Sequence, residues 1–153
     1  MNVFVDTSAF YALVSETDEM HVEALAIHER LKEEEGSFVT TNYVFLESVS
    51  LLQKRYGVAE ARRFGDFVDR QVELVWVDGA QHRRAWDYWK QRGMRHLSFV
   101  DCSCFIVMHN LSIRQAFTFD EQFRTAGFSV LAGPSDRVAE RRATYRAGRI
   151  SRQ

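Results

Sequence analysis

The stretch N-V-F-V-D-T-S-A-F, residues 2–10, carries three apolar residues straight into an aspartate and two hydroxyls. Val3, Phe4 and Val5 are strand formers with no polar face, the pattern of a short strand buried on both sides. A strand of that kind that ends on Asp6 delivers a carboxylate to the rim of a sheet. In an open parallel sheet, ligands bind outside the carboxyl ends of the strands.

The pattern outward from this point alternates. Further strands are predicted at 37–40, 72–77, 116–119 and 129–131. Helices are predicted from near Ser8 through 9–14, then at 19–35, 42–55, 58–70, 81–92 and 98–110, with a helical turn at 120–124. Ser8 is read as the cap of the first helix and Gly36 as the stop of the second. Val22, Leu25, Ala26, Glu29 and Leu31 are read as the buried wall of that second helix. V-E-L-V-W-V at 72–77 reads as core strand, Trp76 included. Parallel neighbours need crossovers, and crossovers are right-handed. The expected fold is therefore an α/β three-layer sandwich, α/β/α, with a central parallel sheet of about five strands.

Bulk numbers agree with one soluble domain. The 153 residues are 46% hydrophobic and 27% charged, with one proline and eight glycines, which leaves little room for a linker. No apolar run approaches a membrane span, and no basic region precedes an apolar one as in a signal peptide. Cys102 and Cys104 stand too close in sequence for an easy bridge and read as buried thiols, so a cytoplasmic setting is expected. Residues 136–153 hold six arginines against two acids, a net +4, which leaves −5 on the rest of a chain whose total is −1. The expected division is one folded domain at 1–135 and a basic tail at 136–153. The tail is either a nucleic-acid or partner-binding arm or a solvated helix.

Four acids sit where a carboxylate needs a reason. Asp6 follows the first strand. Asp120 follows the fourth, in F-T-F-D. Glu47 is flanked by apolar residues in V-F-L-E-S-V-S-L-L, and Asp101 lies in L-S-F-V-D-C-S-C-F-I-V-M, the most apolar helix of the chain. Each has an ordinary structural explanation. Asp6 and Asp120 can cap helices, Asp101 can close a capping box with Ser98, and Glu47 can face water. Taken together, all four stand at element ends or first turns that can face one rim. Carboxylates about 4 Å apart repel by roughly 4 kcal/mol at an effective dielectric near 20. No lysine or arginine adjoins any of them, so convergence calls for a cation. All-oxygen ligands favour a hard ion, magnesium or manganese.

The motifs D-T-S-A-F-Y-A-L, T-T-N-Y-V-F-L-E, S-F-V-D-C-S-C-F-I-V-M and T-F-D-E-Q-F, in that order, resemble the PIN domain family, and within it the VapC-type toxins of toxin–antitoxin pairs. D-E-M-H-V-E-A at 18–24 also resembles that family's second helix. The resemblance covers the chain to about Ala132. It implies a Mg2+-dependent endoribonuclease (Mn2+ possible) whose catalytic and metal-holding acids are Asp6, Glu47, Asp101 and Asp120. Thr7, Ser8 and Thr118 would orient those acids or their waters. It implies RNA as substrate, hydrolysed to a 5′-phosphate and a 3′-hydroxyl, a homodimer, and a VapB-type antitoxin as partner. The Arg-rich extension and Cys104, where a small hydroxyl residue is usual, depart from the family pattern.

The histidines fit no metal-free ribonuclease. His21, His28, His82, His96 and His109 are scattered, with His21 and His28 on a face read as wet and His96 the nearest to the fourth acid helix. Lys54, Arg55, Arg92 and Arg95 are rim candidates whose simpler reading is a solvated face. Trp76, Trp86, Tyr88 and Trp89 are candidates to stack on bases, with core packing or a dimer surface the simpler reading of Trp86 and Trp89. Ser8 stands where a dehalogenase-type phosphohydrolase needs a second aspartate, and a phospho-receiver domain lacks its adjacent acids here. A non-catalytic RNA-binding or interaction module on the same fold is the alternative.

Overall fold

A computed structural model describes residues 1–133; the basic tail lies outside the described residues. The described chain runs β1 (Asn2–Val5), α1 (Thr7–Val14), α2 (His21–Glu33), β2 (Ser37–Thr41), α3 (Asn42–Tyr56), α4 (Val58–Gln71) and β3 (Val72–Val75). It continues through α5 (Gly79–Arg92), α6 (Phe99–Asn110), β4 (Gln115–Phe117), α7 (Glu121–Thr125) and β5 (Ser129–Val130). The strands form one parallel sheet in the order β3-β2-β1-β4-β5. This is the expected α/β/α architecture.

The topology places the site. From β1 the chain steps one way to β2 and β3, then returns across the sheet through α5 and α6 to β4 on the other flank of β1. Right-handed crossovers then put α1 to α4 on one face and α5 to α7 on the other. The reversal of direction falls between β1 and β4, which is where a doubly wound sheet opens a crevice.

The core follows from the alternation of β1. Val3, Phe4 and Val5 are all buried, Phe4 towards one face and its neighbours towards the other. On the α1 to α4 face, Phe10 meets Phe64 edge-on at 5.1 Å. On the opposite face, Phe105 meets Phe123 edge-on at 5.0 Å, and Phe4 stacks on Phe123 at 6.5 Å. Cys102 and Cys104 are free and buried in α6, as expected. Gly57, at φ 93, takes the left-handed turn that joins α3 to α4.

Several expectations fail locally. In α2 the buried wall is Ala24, Ile27 and Leu31, while Val22 and Leu25 are exposed. Both stripes have helical spacing, and the small Ala24 is the one that lets the helix approach its neighbours. The turn after α2 is taken by Glu35, at φ 54, ahead of Gly36. β3 stops at Val75, so Trp76 leaves the core and is 71% exposed. β4 stops at Phe117, two residues earlier than predicted. His28 is not on a wet face: its ring stacks on Phe38 at 5.3 Å, and burial lowers its pKa. Among the described residues, no helix is long and apolar enough to cross a membrane.

Candidate metal centre

Asp6, Glu47, Asp101 and Asp120 line one cleft of about 430 Å³ at the β1/β4 reversal. Each arrives on a different element. Asp6 follows β1 and occupies the cap position of α1. Glu47 stands in the second turn of α3, Asp101 in the first turn of α6, and Asp120 at the cap of α7. Thr7 and Ser8 also line the cleft. Asp18 and Glu19, from the α1–α2 loop, bring two further carboxylates that the sequence reading did not single out. Their signal lay in the D-E-M-H segment. None of the described residues lining the cleft is lysine, arginine or histidine. His96, just before α6, is exposed and is not among them.

A hydroxyl network holds the acids in place. Asp6 Oδ2 accepts from Ser8 Oγ at 3.0 Å and from Thr118 Oγ1 at 2.9 Å. Thr118 Oγ1 in turn accepts from the Asp120 backbone N–H at 3.0 Å, and Ser8 Oγ accepts from the Phe119 N–H at 2.9 Å. Ser8 therefore does not cap α1. Asp6 holds the cap position, and its side chain makes no cap bond, because it is turned to Ser8 and Thr118. Thr7 Oγ1 is buried with no partner among the described residues, a hydroxyl available to a ligand or its water.

Three of the ordinary explanations are also true. Asp101 closes a capping box: its Oδ2 accepts from Ser98 N at 3.0 Å, and Asp101 N donates to Ser98 Oγ at 3.0 Å. Asp120 Oδ1 accepts from Gln122 N at 2.9 Å and caps α7. Each of these bonds uses one carboxylate oxygen, and the other oxygen of Asp101 and of Asp120 makes no hydrogen bond among the described residues. Glu47 is exposed, so its cost is not burial.

Electrostatics report the crowding. Burial raises the pKa of Asp6, against the Thr118, Thr7 and Ser8 hydrogen bonds, and the Asp120 charge raises it further. Burial pushes Asp101 up to about 7, with the charges of Asp6 and Asp120 adding to it. The Cys104 thiol, buried beneath, is pushed well up by burial and then by Asp6, Asp101 and Glu47. Among the described residues no three potential ligands are drawn together closely enough to grip an ion. The donor set fits a hard, oxygen-seeking cation: carboxylates backed by hydroxyls, with no histidine or cysteine among the described residues of the cleft wall. A second cavity, of about 310 Å³ between α1, α2 and α4, is walled mainly by Phe10, Leu13, Phe64 and Phe67, and the one carboxylate on its wall, Glu60, pairs with Arg63 at 3.0 Å.

Comparison with known proteins reaches the same region. A family model described as the PIN domain matches residues 3–129. The chain is 36% identical over 132 residues to the 23S rRNA-specific endonuclease VapC20 of Mycobacterium tuberculosis, covering 82% of this chain and 95% of that one. The crystal structure of that sarcin–ricin loop-cleaving toxin superposes with a TM-score of 0.75 at 30% identity, over 85% of this chain and 98% of the other. The VapBC2 structure from Rickettsia felis matches with a TM-score of 0.65 at 10% identity, over 86% and 98% of the two chains. FitAcB from Neisseria gonorrhoeae matches at 0.59 and 13% identity, over 86% and 96%. At those identities the last two speak for the fold alone.

Proposed function

The chain belongs to the PIN domain family, and from that premise we propose that it is a metal-dependent endoribonuclease, the toxin of a VapBC-type toxin–antitoxin pair. The observation that carries the reading is the cleft: four acids from four elements line it at the β1/β4 reversal, with no cationic side chain among the described residues of its wall. Unpaired carboxylates in such a place are costly to folding and persist where chemistry uses them. The 36% identity to a 23S rRNA-specific endonuclease supports an RNA substrate.

Asp6, Asp101 and Asp120 would hold magnesium or manganese, with Glu47 beside them. Such an ion supplies Lewis-acid charge at the scissile phosphate and lowers the pKa of a bound water. The chain's own part is positional. Ser8 and Thr118 fix the Asp6 carboxylate, and Thr118 fixes the start of α7 and with it Asp120. Glu47, the exposed acid, would bind the ion directly or orient a water on it. In-line displacement forms the water-oxygen bond to phosphorus and breaks the bond to the 3′-oxygen, leaving a 5′-phosphate and a 3′-hydroxyl. The expected partner is a small VapB-type antitoxin, and the expected assembly is a homodimer.

The test is cleavage of total RNA, and of purified 23S rRNA, by the full chain with magnesium, with chelator, and against Asp6→Asn. Cleavage that needs the metal and Asp6 supports the proposal. Equal cleavage by parent and variant ends it.

A further inference from the structure

The wall of the acid cleft is not acidic throughout. Tyr11 and Leu51 line it together with Thr7 and Glu47. Tyr11 stands one helical turn beyond Thr7 on α1, and Leu51 one turn beyond Glu47 on α3. The two helices follow neighbouring parallel strands and pack on one another. One turn in from the carboxylates, the cleft therefore offers a phenol ring on one side and an exposed isobutyl group on the other. Phe119, the other ring on the wall, is half-buried and stands edge-on to the buried Phe117 at 6.1 Å. Tyr11 is thus the ring on this wall that no core aromatic claims.

Tyr11 is held in position by the far end of α3. Its ring lies 6.3 Å from that of Tyr56, tilted by 33°. Ser15, itself buried, donates its backbone N–H to the Tyr11 carbonyl at 2.8 Å and hydrogen-bonds the Tyr56 hydroxyl with its own. One residue at the end of α1 therefore secures both phenols. Arg55 is exposed and has no ion-pair partner among the described residues. Its guanidinium faces the same oxygens, since Tyr56 and then Tyr11 raise its pKa. Glu47, Leu51 and Arg55 follow one another at intervals of four along a single ridge of α3. The ridge passes from acid through apolar to cation as it leaves the carboxylates.

On the reading that the cleft cuts RNA, we propose that Tyr11, facing Leu51 and backed by Tyr56, is the platform for the nucleobase beside the scissile phosphate, with Arg55 meeting the next phosphate. The acids repel a phosphate chain wherever no metal stands between. Hold on the strand has to come from the uncharged part of the wall and from a cation beyond it. Single-stranded bases bind by stacking on aromatic faces next to cations. A ring already fixed by Tyr56 and Ser15 gives up little freedom when a base lies on it.

The test uses the full chain carrying Asp6→Asn, with magnesium present, so that RNA is bound without being cut. Fluorescence anisotropy follows a short single-stranded RNA. Tyr11→Leu is expected to weaken binding about tenfold, within the range for one stacked base. Tyr11→Phe should stay within about threefold of the unsubstituted residue. Both variants lose the hydroxyl, so the difference between them reads the ring and not the link to Tyr56. On an abasic strand of the same length, Tyr11→Leu should bind as well as Tyr11. Arg55→Ala, at an exposed position where folding is not at stake, should reduce the slope of log affinity against log salt by about 0.7. If Tyr11→Leu binds the RNA as well as Tyr11, or loses as much on the abasic strand, the platform is overturned. The nuclease reading still stands in that case, provided that the Asp6 form cleaves RNA. An Asp6 form that neither binds nor cleaves RNA overturns both.

Discussion

The Thr118 hydroxyl donates to Asp6 Oδ2 at 2.9 Å and accepts from the Asp120 N–H at 3.0 Å, so one buried side chain spaces two acids from opposite sides of the sheet reversal. Thr118→Val keeps the shape and removes both bonds. Cleavage is expected to fall about 10- to 100-fold, the usual cost of losing a group that orients a ligand. The Asp120 N–H left without a partner should cost about 1–3 kcal/mol of stability. Steady-state cleavage and urea unfolding check the two effects separately.

Asp101→Asn separates function from stability. The amide can still accept from Ser98 N, while the charge whose burial pushes Asp101 up to about 7 is gone. Cleavage should drop more than about a hundredfold. The thermal midpoint of the metal-free protein should rise by a few degrees, as a repulsive site is relieved. A midpoint below the parent's would contradict the electrostatic account of the cleft.

The same shift fixes a pH dependence. Asp101 titrates near 3.8 when unfolded and at about 7 when folded. Between those values the native state keeps a proton that the unfolded state has lost, so stability falls as pH rises through this window and levels off above it. Asp6 is shifted in the same direction. The lowered pKa of His28 acts with the opposite sign, so the informative quantity is the difference between parent and Asp101→Asn. Metal-free parent should lose midpoint relative to the variant from about pH 4 to about pH 7. Added magnesium should restore more at the upper end, because metal binds the ionised acids. A difference that does not change with pH would remove the basis for this prediction.

Calorimetric titration of magnesium or manganese into Asp6→Ala, Glu47→Ala, Asp101→Ala and Asp120→Ala tests whether the acids share one site. Every variant should bind more weakly than the parent, with Glu47→Ala the mildest because that side chain is exposed. If two or more bind like the parent, the shared site is wrong.

Much of the site was legible because its acids close the elements they sit on. Asp6 ends β1, and Asp101 falls three residues after a serine that begins α6, patterns visible over a few positions. Ser8 was misread for the opposite reason. Its partners are Asp6 and the Phe119 N–H, and the latter lies 111 residues away. Local capping rules cannot see a bond between strand ends. Trp76 continues the alternation of β3, but β3 pairs on one side only, with β2, and the rim beyond Val75 is open to water. Asp18 and Glu19 sit in a loop, where no period marks which side chains turn inward. In α2 two apolar stripes compete, and the neighbouring elements decide between them.

The hydrogen bond from Thr118 to Asp6 spans 112 positions, and β1 pairs with β4. The first and last of the four acids are therefore brought together only when nearly the whole domain exists. A chain still emerging from the ribosome has Asp6, and later Glu47 and Asp101, but no cleft, until β4 and the start of α7 are free to dock. Long-range pairing of this kind forms late in folding. A cleft that needs both Asp6 and Asp120 is thus incomplete until synthesis of the domain is almost finished.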